Sequence, residues 1–349
     1  MHTLTLPPHA AAELLATTHG IAADFELAPL GSEVASTFLA HAAGLRYAVK
    51  MQASGPEEFE LQRWRAEVAA HLRAHGHPVP RLLPAGATGE PIALARHEGR
   101  PVAVTVSEWV DALPYNELAR ASAGDPTVAP DPAAPDSAAQ DVAAQDVAAF
   151  DAVAFGRSLG ALAARMQADL TTAPRPPRPV SHTWVSHTTA TTIADHLPRV
   201  ADERILEMAR IALDLHEREV APVETELPRA LVHQDLHDSN VLAHPDGTVA
   251  AIIDFDDMLV GWRIAEPAIA AAYLSRHAAD PAAAVAAVAA GWESELPFTE
   301  AERRAFPVVV LARLALNASV WHVRMAEDRA DYAQMRQAGS VEAFYALTR

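Results

Sequence analysis

Between Leu231 and Asp257 the chain reads LVHQDLHDSNVLAHPDGTVAAIIDFDD, a pattern that leaves few ways to fold. Arg229 to Val232 forms a β-prone lead into His233-Gln234-Asp235, and Asn240 follows five residues after Asp235. Val241 to Ala243 and Thr248 to Ile253 flank Pro245-Asp246-Gly247, turn chemistry between two strand-forming runs, so a hairpin is expected. Its second strand must bring Asp254-Phe255-Asp256-Asp257 back beside Asp235. An acid, an amide and a second acid then share one end of a short sheet.

That trio suits phosphoryl transfer, which needs a carboxylate near the acceptor hydroxyl, plus an amide oxygen and another carboxylate as hard ligands for magnesium. Asp235 fits the first role, and Asn240 and Asp254 fit the second. Any one of these residues alone would be an ordinary turn residue. Together they match, in order and spacing, the kinase loop H-R-D-L-x-x-x-N followed by an Asp-Phe dipeptide on the next hairpin. A zinc pair at His233 and His237 is the rival reading. It fails because Gln234 stands where H-E-x-x-H requires glutamate, and because the segment begins as a strand.

Lys50 is the single lysine among the 27 basic side chains. It ends Tyr47-Ala48-Val49-Lys50, a strand after the Gly44 turn, and matches the V-A-I-K strand whose ammonium meets the α and β phosphates. A compact ammonium suits that place better than a planar guanidinium. A helix over 7–19 and six strand-forming runs, over 25–30, 37–41, 45–51, 81–83, 91–96 and 102–108, imply a helix with a five-stranded sheet built from five of them. Gly31 and Ser32 open a turn whose backbone amides could touch phosphate, although neither G-x-G-x-x-G nor a Gly-Lys phosphate loop is present. The helix over 56–75 carries Leu61, Trp64, Val68 and Leu72 at core spacing. Glu67 on that helix is the expected partner of Lys50, with Glu60 as a rival. Glu108-Trp109-Val110 reads as a hinge between lobes, where a nucleobase would meet main-chain groups.

Two segments follow, 1–110 as a nucleotide-binding lobe and 111–349 as a catalytic and acceptor-binding lobe. Residues 121–149 turn to Ala, Pro, Asp and Gln with AAQDV repeated in tandem, a low-complexity insert. Helical patterning resumes at 147–170 and recurs near 188–197, 202–220, 264–278, 280–294, 299–325 and 331–347. A mixed α+β small lobe before a mainly helical large one is protein-kinase-like architecture.

Composition excludes several functions. Half the residues are apolar and the mean hydropathy is near zero, as in water-soluble globular chains. There is no cysteine, hence no disulfide or thiolate chemistry. No basic segment followed by an apolar core marks a leader, so a cytoplasmic location is expected. A net charge of -18 argues against nucleic acid and favours a cationic small molecule. The alanine-rich runs point to no membrane span. Oligomeric state is left open.

His233-Gln-Asp-Leu-His-Asp-Ser-Asn240 with Ile253-Asp-Phe-Asp-Asp257 resembles the aminoglycoside phosphotransferase and choline kinase superfamily, whose loop reads H-G-D-x-H-x-x-N. The order of Gly31 turn, Lys50 strand, Glu67 helix and catalytic loop extends the likeness along most of the chain. The resemblance implies Asp235 as catalytic aspartate, Asn240 and Asp254 as magnesium ligands and Lys50 as phosphate contact. Gln234 departs from the usual glycine, and Asp256 stands where protein kinases have glycine. A closer similarity is to hydroxylysine kinase and its bacterial relatives. It runs through Trp184, the HDSN loop ending, Asp257-Met258, Ala265 to Tyr273, Phe298 to Glu302 and Leu311 to Ala315. It implies an amino alcohol or hydroxylated amino acid as acceptor and ATP or GTP as donor, with Asp257 or Glu266, or acids such as Glu293 and Glu295, holding an acceptor ammonium. An antibiotic O-phosphotransferase and a non-catalytic nucleotide-binding module are the alternatives.

Overall fold

The computed structural model describes residues 4–21, 26–30, 35–86, 88–124, 149–325 and 330–349. Gly31, Ser32 and most of the 121–149 insert lie outside them. The smaller lobe comprises α1 (Pro8–His19), β1 (Glu26–Leu30), β2 (Ser36–Ala42), β3 (Leu45–Ala53), α2 (Pro56–Ala74), β4 (Ala93–His97) and β5 (Arg100–Glu108). Its strands form one antiparallel sheet in the order β1-β2-β3-β5-β4. Arg81 to Leu83, expected as a strand, contributes a single bridge from Leu82 to Ser107. Ala43 and Gly44 both have positive φ, the two-residue turn whose twist matches the β2–β3 hairpin.

Side chains alternate across a strand, and this decides where Lys50 points. Val49 and Met51 are fully buried with Leu14 and Leu15 of α1, so Lys50 and Gln52 project from the other face. The stripe Leu61, Trp64, Val68 and Leu72 of α2 is buried as expected, but within the core of the larger lobe, beside Phe155 and Leu159. The Trp64 indole N–H donates to the Pro174 carbonyl at 2.8 Å, which ties α2 to that lobe.

The larger lobe begins with β6 (Leu113–Pro114) and α3 (Tyr115–Ser122), followed by helices α4 (Ala152–Asp169), α5 (Thr189–His196) and α6 (Glu203–Leu215). Four short strands come next: β7 (Arg229–Val232), β8 (Val241–Ala243), β9 (Val249–Ile252) and β10 (Leu259–Trp262). The chain then continues as α7 (Ala265–Ser275), α8 (Pro281–Glu295), α9 (Glu300–Met325), α10 (Ala330–Gln337) and α11 (Ser340–Leu347). The expected hairpin is β8 with β9, paired Val241 to Ile252, and Gly247 in the left-handed region closes its turn. Before the helix expected from 264, β10 pairs antiparallel with β7, Leu259 opposite Val232, so both ends of the 233–258 segment are anchored. The tail expected as one helix over 331–347 is broken by Gly339, φ 78°.

The α9 helix is long and apolar enough to cross a membrane, yet 89% of that window is buried inside the protein, where it serves as the central core helix. Its start is a capping box: the Thr299 N–H donates to Glu302 Oε2 at 2.8 Å, and the Glu302 N–H donates to Thr299 Oγ1 at 3.2 Å. The same buried glutamate accepts from Arg263 Nε at 2.8 Å, joining α9 to the turn before α7.

Helices α4 and α8 approach to backbone contact because Gly156, Gly160 and Gly291 remove the side chains between them. A Cβ on Gly160 would sit 2.1 Å from the Val288 carbonyl oxygen, and one on Gly291 would sit 2.0 Å from that of Arg157. Alanine normally stabilises a helix interior relative to glycine by about 1 kcal/mol. Here the sign reverses: Gly160→Ala and Gly291→Ala should each destabilise by about 3 kcal/mol, because backbone must move. Thermal melts of the two variants check this, and a melting temperature at or above the parent's would refute the contact.

Candidate active site

The loop after β7 is held from all sides. His233 is fully buried, packs against Phe255 with ring centroids 4.7 Å apart and the ring planes tilted by 56°, and accepts the Asp235 N–H at Nδ1 (3.3 Å). That acceptance assigns its proton to Nε2, which donates to the Ile253 carbonyl at 3.2 Å. Burial lowers the pKa of His233, so it sits neutral as a spacer between the loop and the returning strand.

Gln234 has φ 70°, a left-handed conformation that glycine adopts freely and other residues hold at a cost of about 1 kcal/mol or more. This accounts for glycine in the superfamily pattern. The glutamine holds the turn with its side chain: Nε2 donates to the Trp184 carbonyl at 3.1 Å and to Ser186 Oγ at 2.8 Å. Its backbone N–H donates to Glu266 Oε1 at 2.7 Å. Gln234 thereby ties the 184–186 segment to the loop after β7.

Asp235 receives donors on both oxygens. Asn240 Nδ2 reaches Oδ2 at 2.8 Å, with His237 Nε2 at 3.2 Å, and Arg313 Nη2 reaches Oδ1 at 3.1 Å. Burial favours the protonated acid, but His237, Arg313 and Arg336 outweigh it and hold the carboxyl well below the usual range. His237 in turn loses by burial and gains more from Asp235, rising to about 9. Because its NH2 is spent on Asp235, Asn240 can offer only its amide oxygen elsewhere. The Asn240 carbonyl accepts the Ile253 N–H at 3.0 Å, so the loop is tied to the residue that precedes Asp254.

Asp254 takes φ 61° and turns its carboxylate toward β3. Lys50 Nζ lies 2.8 Å from Asp254 Oδ1 and 2.8 Å from Asp256 Oδ2, a bridge across 204 residues of sequence. Burial opposes the ammonium, but the two carboxylates more than offset it and raise its pKa. Gln52 also donates to Asp256. Next in the chain, Asp257 is pushed up to about 7 by burial and by Asp235, Asp254 and Asp256.

Several expectations are corrected. Glu67 does not meet Lys50: it is exposed and pairs with Arg63 at 3.9 Å, while Glu60 is also exposed. With the stripe of α2 committed to the larger lobe, its site-facing positions are Gln62, which donates to Gln52 Oε1 at 3.0 Å, and the buried Arg65, whose charge acts on Asp256. Glu266 is buried beneath the loop, where it accepts the Gln234 N–H. Glu293 and Glu295 pair at the surface with Arg303 and Arg165. At the hinge, the Glu108 and Trp109 N–H groups are engaged by the carbonyls of Arg81 and Arg46. Arg313, Asp238, Gln52 and Asp256 were missed as site residues. Only Asp256 carried a local signal, standing beside Asp254.

Among the described residues no three His, Asp or Glu side chains form a ready-made metal cage. Magnesium does not require one, since it takes one or two protein oxygens and completes its shell with phosphate and water. The Asn240 amide oxygen and the Asp254 carboxylate are donors of that kind, joined through the Ile253 to Asn240 hydrogen bond, so the residues present fit the ion.

Burial raises the Glu266 carboxyl to about 7, from an ordinary 4.5. A raised carboxyl contributes stability that is full below 4.5 and is lost as pH rises through about 7. Glu266→Gln keeps the acceptor oxygen and removes the titration. The variant should match the parent at pH 5 and exceed it at pH 8.5 by on the order of 2–3 kcal/mol. Chemical denaturation across that range checks this, and parallel pH profiles would refute it.

Residues 26–306 match the family described as the phosphotransferase enzyme family, APH. Hydroxylysine kinase of Danio rerio is 31% identical over 113 residues, 31% of this chain and 32% of that protein. The Bos taurus hydroxylysine kinase is 31% identical over 126 residues, 34% of each. The chain thus spans about a third of the length of the curated relatives it matches. A microcompartment-associated aminopropanol kinase superposes with a TM-score of 0.66 at 18% identity, over 97% of both chains. An amicoumacin kinase in complex with AMP-PNP, Ca2+ and amicoumacin gives 0.61 at 16% identity, over 95% of this chain and 92% of that one. These structures share the two-lobe fold, and the family match covers most of the chain. The protein belongs to the phosphotransferase enzyme family.

Proposed function

We propose that this protein transfers the γ-phosphoryl group of ATP or GTP to a hydroxyl of a small amine-bearing acceptor, an amino alcohol or a hydroxylated amino acid such as hydroxylysine. The observation that carries this reading is the convergence of Lys50, Asp235, Asn240 and Asp254 from two lobes onto one cleft. The hydroxylysine kinase and aminopropanol kinase relatives support the acceptor class.

In this reading the acceptor oxygen forms a bond to the γ phosphorus while the bond to the β–γ bridging oxygen breaks, and the hydroxyl proton passes to Asp235. A carboxylate with so depressed a pKa is a weak base. That suits a loose transition state, in which the proton leaves late and the main task is to orient the hydroxyl. Magnesium, held by Asn240 and Asp254, would neutralise phosphate charge. Lys50 exchanges its carboxylate partners for the α and β phosphates. Val110 and the hinge carbonyls receive the nucleobase, since the neighbouring N–H groups are engaged in the sheet. Asp257, amid three other acids, meets the acceptor ammonium.

The test is nucleotide consumption by the purified protein with hydroxylysine, ethanolamine, choline, homoserine, sugars, aminoglycosides and macrolides, with ATP and GTP run separately. Turnover with an amino alcohol or hydroxylated amino acid is expected. Turnover confined to antibiotics would replace the acceptor class, and binding without turnover would reduce the protein to a nucleotide-binding module.

Asp235→Asn keeps the Asn240 contact and removes the base, so turnover should fall about 10²–10⁴-fold with nucleotide affinity nearly unchanged. Retained turnover would strip Asp235 of this role. Asp254→Ala should abolish the divalent-dependent part of nucleotide affinity, and an unchanged calorimetric titration with and without Mg2+ would sink that assignment.

A further inference from the structure

The surroundings of Asp235 are cationic, in a chain whose net charge is -18. Arg313 on α9 donates to Asp235 Oδ1 at 3.1 Å, and Arg336 on α10 donates to Ser239 Oγ at 3.0 Å and faces His237 at 3.1 Å. Arg276 reaches Asp238 at 3.7 Å. Three guanidinium groups and His237 therefore surround two carboxylates.

Within this group Arg313 is the guanidinium that bonds Asp235. It is 97% buried, its side chain being 3% exposed, and it lies 5.2 Å from the Trp184 ring and 5.5 Å from the Tyr273 ring. One terminal nitrogen goes to the Trp184 carbonyl at 2.9 Å, the other to Asp235, and Nε has no partner. A buried guanidinium with an idle N–H is costly to keep. This one also occupies the oxygen of Asp235 that Asn240 and His237 leave open, so the proton acceptor of the proposed reaction is masked on both sides.

We infer that Arg313 is the receptor for a carboxylate on the acceptor, which selects a hydroxylated amino acid over bare amino alcohols and aminoglycosides. This rests on the phosphoryl-transfer reading above. A guanidinium presents paired N–H groups that match a carboxylate in a fork. When the acceptor's carboxylate takes that fork, Asp235 Oδ1 is released to the hydroxyl, and Asp257 remains for the ammonium. An acceptor without a carboxylate leaves Arg313 on Asp235. Selectivity then arises from uncovering the base as well as from binding.

The test uses matched acceptors that differ only by the carboxylate: serine and ethanolamine, threonine and 1-aminopropan-2-ol, homoserine and 3-aminopropan-1-ol, hydroxylysine and 1,5-diaminopentan-2-ol. For the parent protein, kcat/KM should favour the carboxylate member of the productive pair by about 100-fold. Arg313→Gln, which keeps a donor for Trp184, should bring that ratio near one by raising KM for the amino acid, with nucleotide affinity held. Equal or inverted ratios in the parent overturn the inference and leave the kinase reading intact, and they do so whether or not the variant folds. A ratio that survives in a folded Arg313→Gln removes the role from Arg313. Turnover of no member of any pair, with nucleotide bound, overturns the acceptor reading and this inference with it.

Discussion

Four carboxylates, Asp235, Asp254, Asp256 and Asp257, are delivered to one cleft by a single short hairpin, and most of the site answers that crowding. Lys50 crosses from the smaller lobe to neutralise two of them at 2.8 Å each. Arg313 comes from the central helix of the larger lobe and His237 from the loop itself to hold a third. The fourth, Asp257, faces His182 Nε2 at 3.9 Å, and its carboxyl is pushed up to about 7. The proposed divalent cation and acceptor ammonium would relieve this crowding of like charge.

Rigidity of the loop comes from backbone bonds more than from the acids. β7 pairs with β10 before and after the segment, Ile253 bonds Asn240 across it, and buried Glu266 caps the Gln234 turn from below. The strained φ of Gln234 survives because its environment supplies partners for both its backbone and its side chain. Through Trp184, whose carbonyl accepts from both Gln234 and Arg313, the segment before α5 is tied to the loop after β7 and to α9.

Local chemistry made the hairpin, the Asp235, Asn240 and Asp254 order and the Lys50 strand legible, because turn residues and two-residue alternation act over a few positions. The β2 and β3 register follows from the same rules, with Lys50 opposite Thr37 and Thr105 once the sheet closes. Expectations failed where long-range packing chose the phase. The apolar stripe of α2 was read correctly, yet it faces the larger lobe, which sends Glu67 to solvent and turns Gln62 and Arg65 toward the cleft. Glu266 was read as acceptor-facing because an isolated acid after the loop carries no mark of depth.

By itself the sequence determined which groups are available: one lysine on a strand, an acid-amide-acid set on a hairpin, and helices with enough apolar surface to form a large core. These depend on residue type and near spacing, which a linear chain displays directly. The tertiary structure alone decided which cation meets which acid. Arg313 lies 78 residues beyond Asp235 in an apolar helix where nothing nearby marks it. Its position beside the base follows from the burial of α9 and the ring contacts of Trp184 and Tyr273, and such contacts have no signature in local sequence.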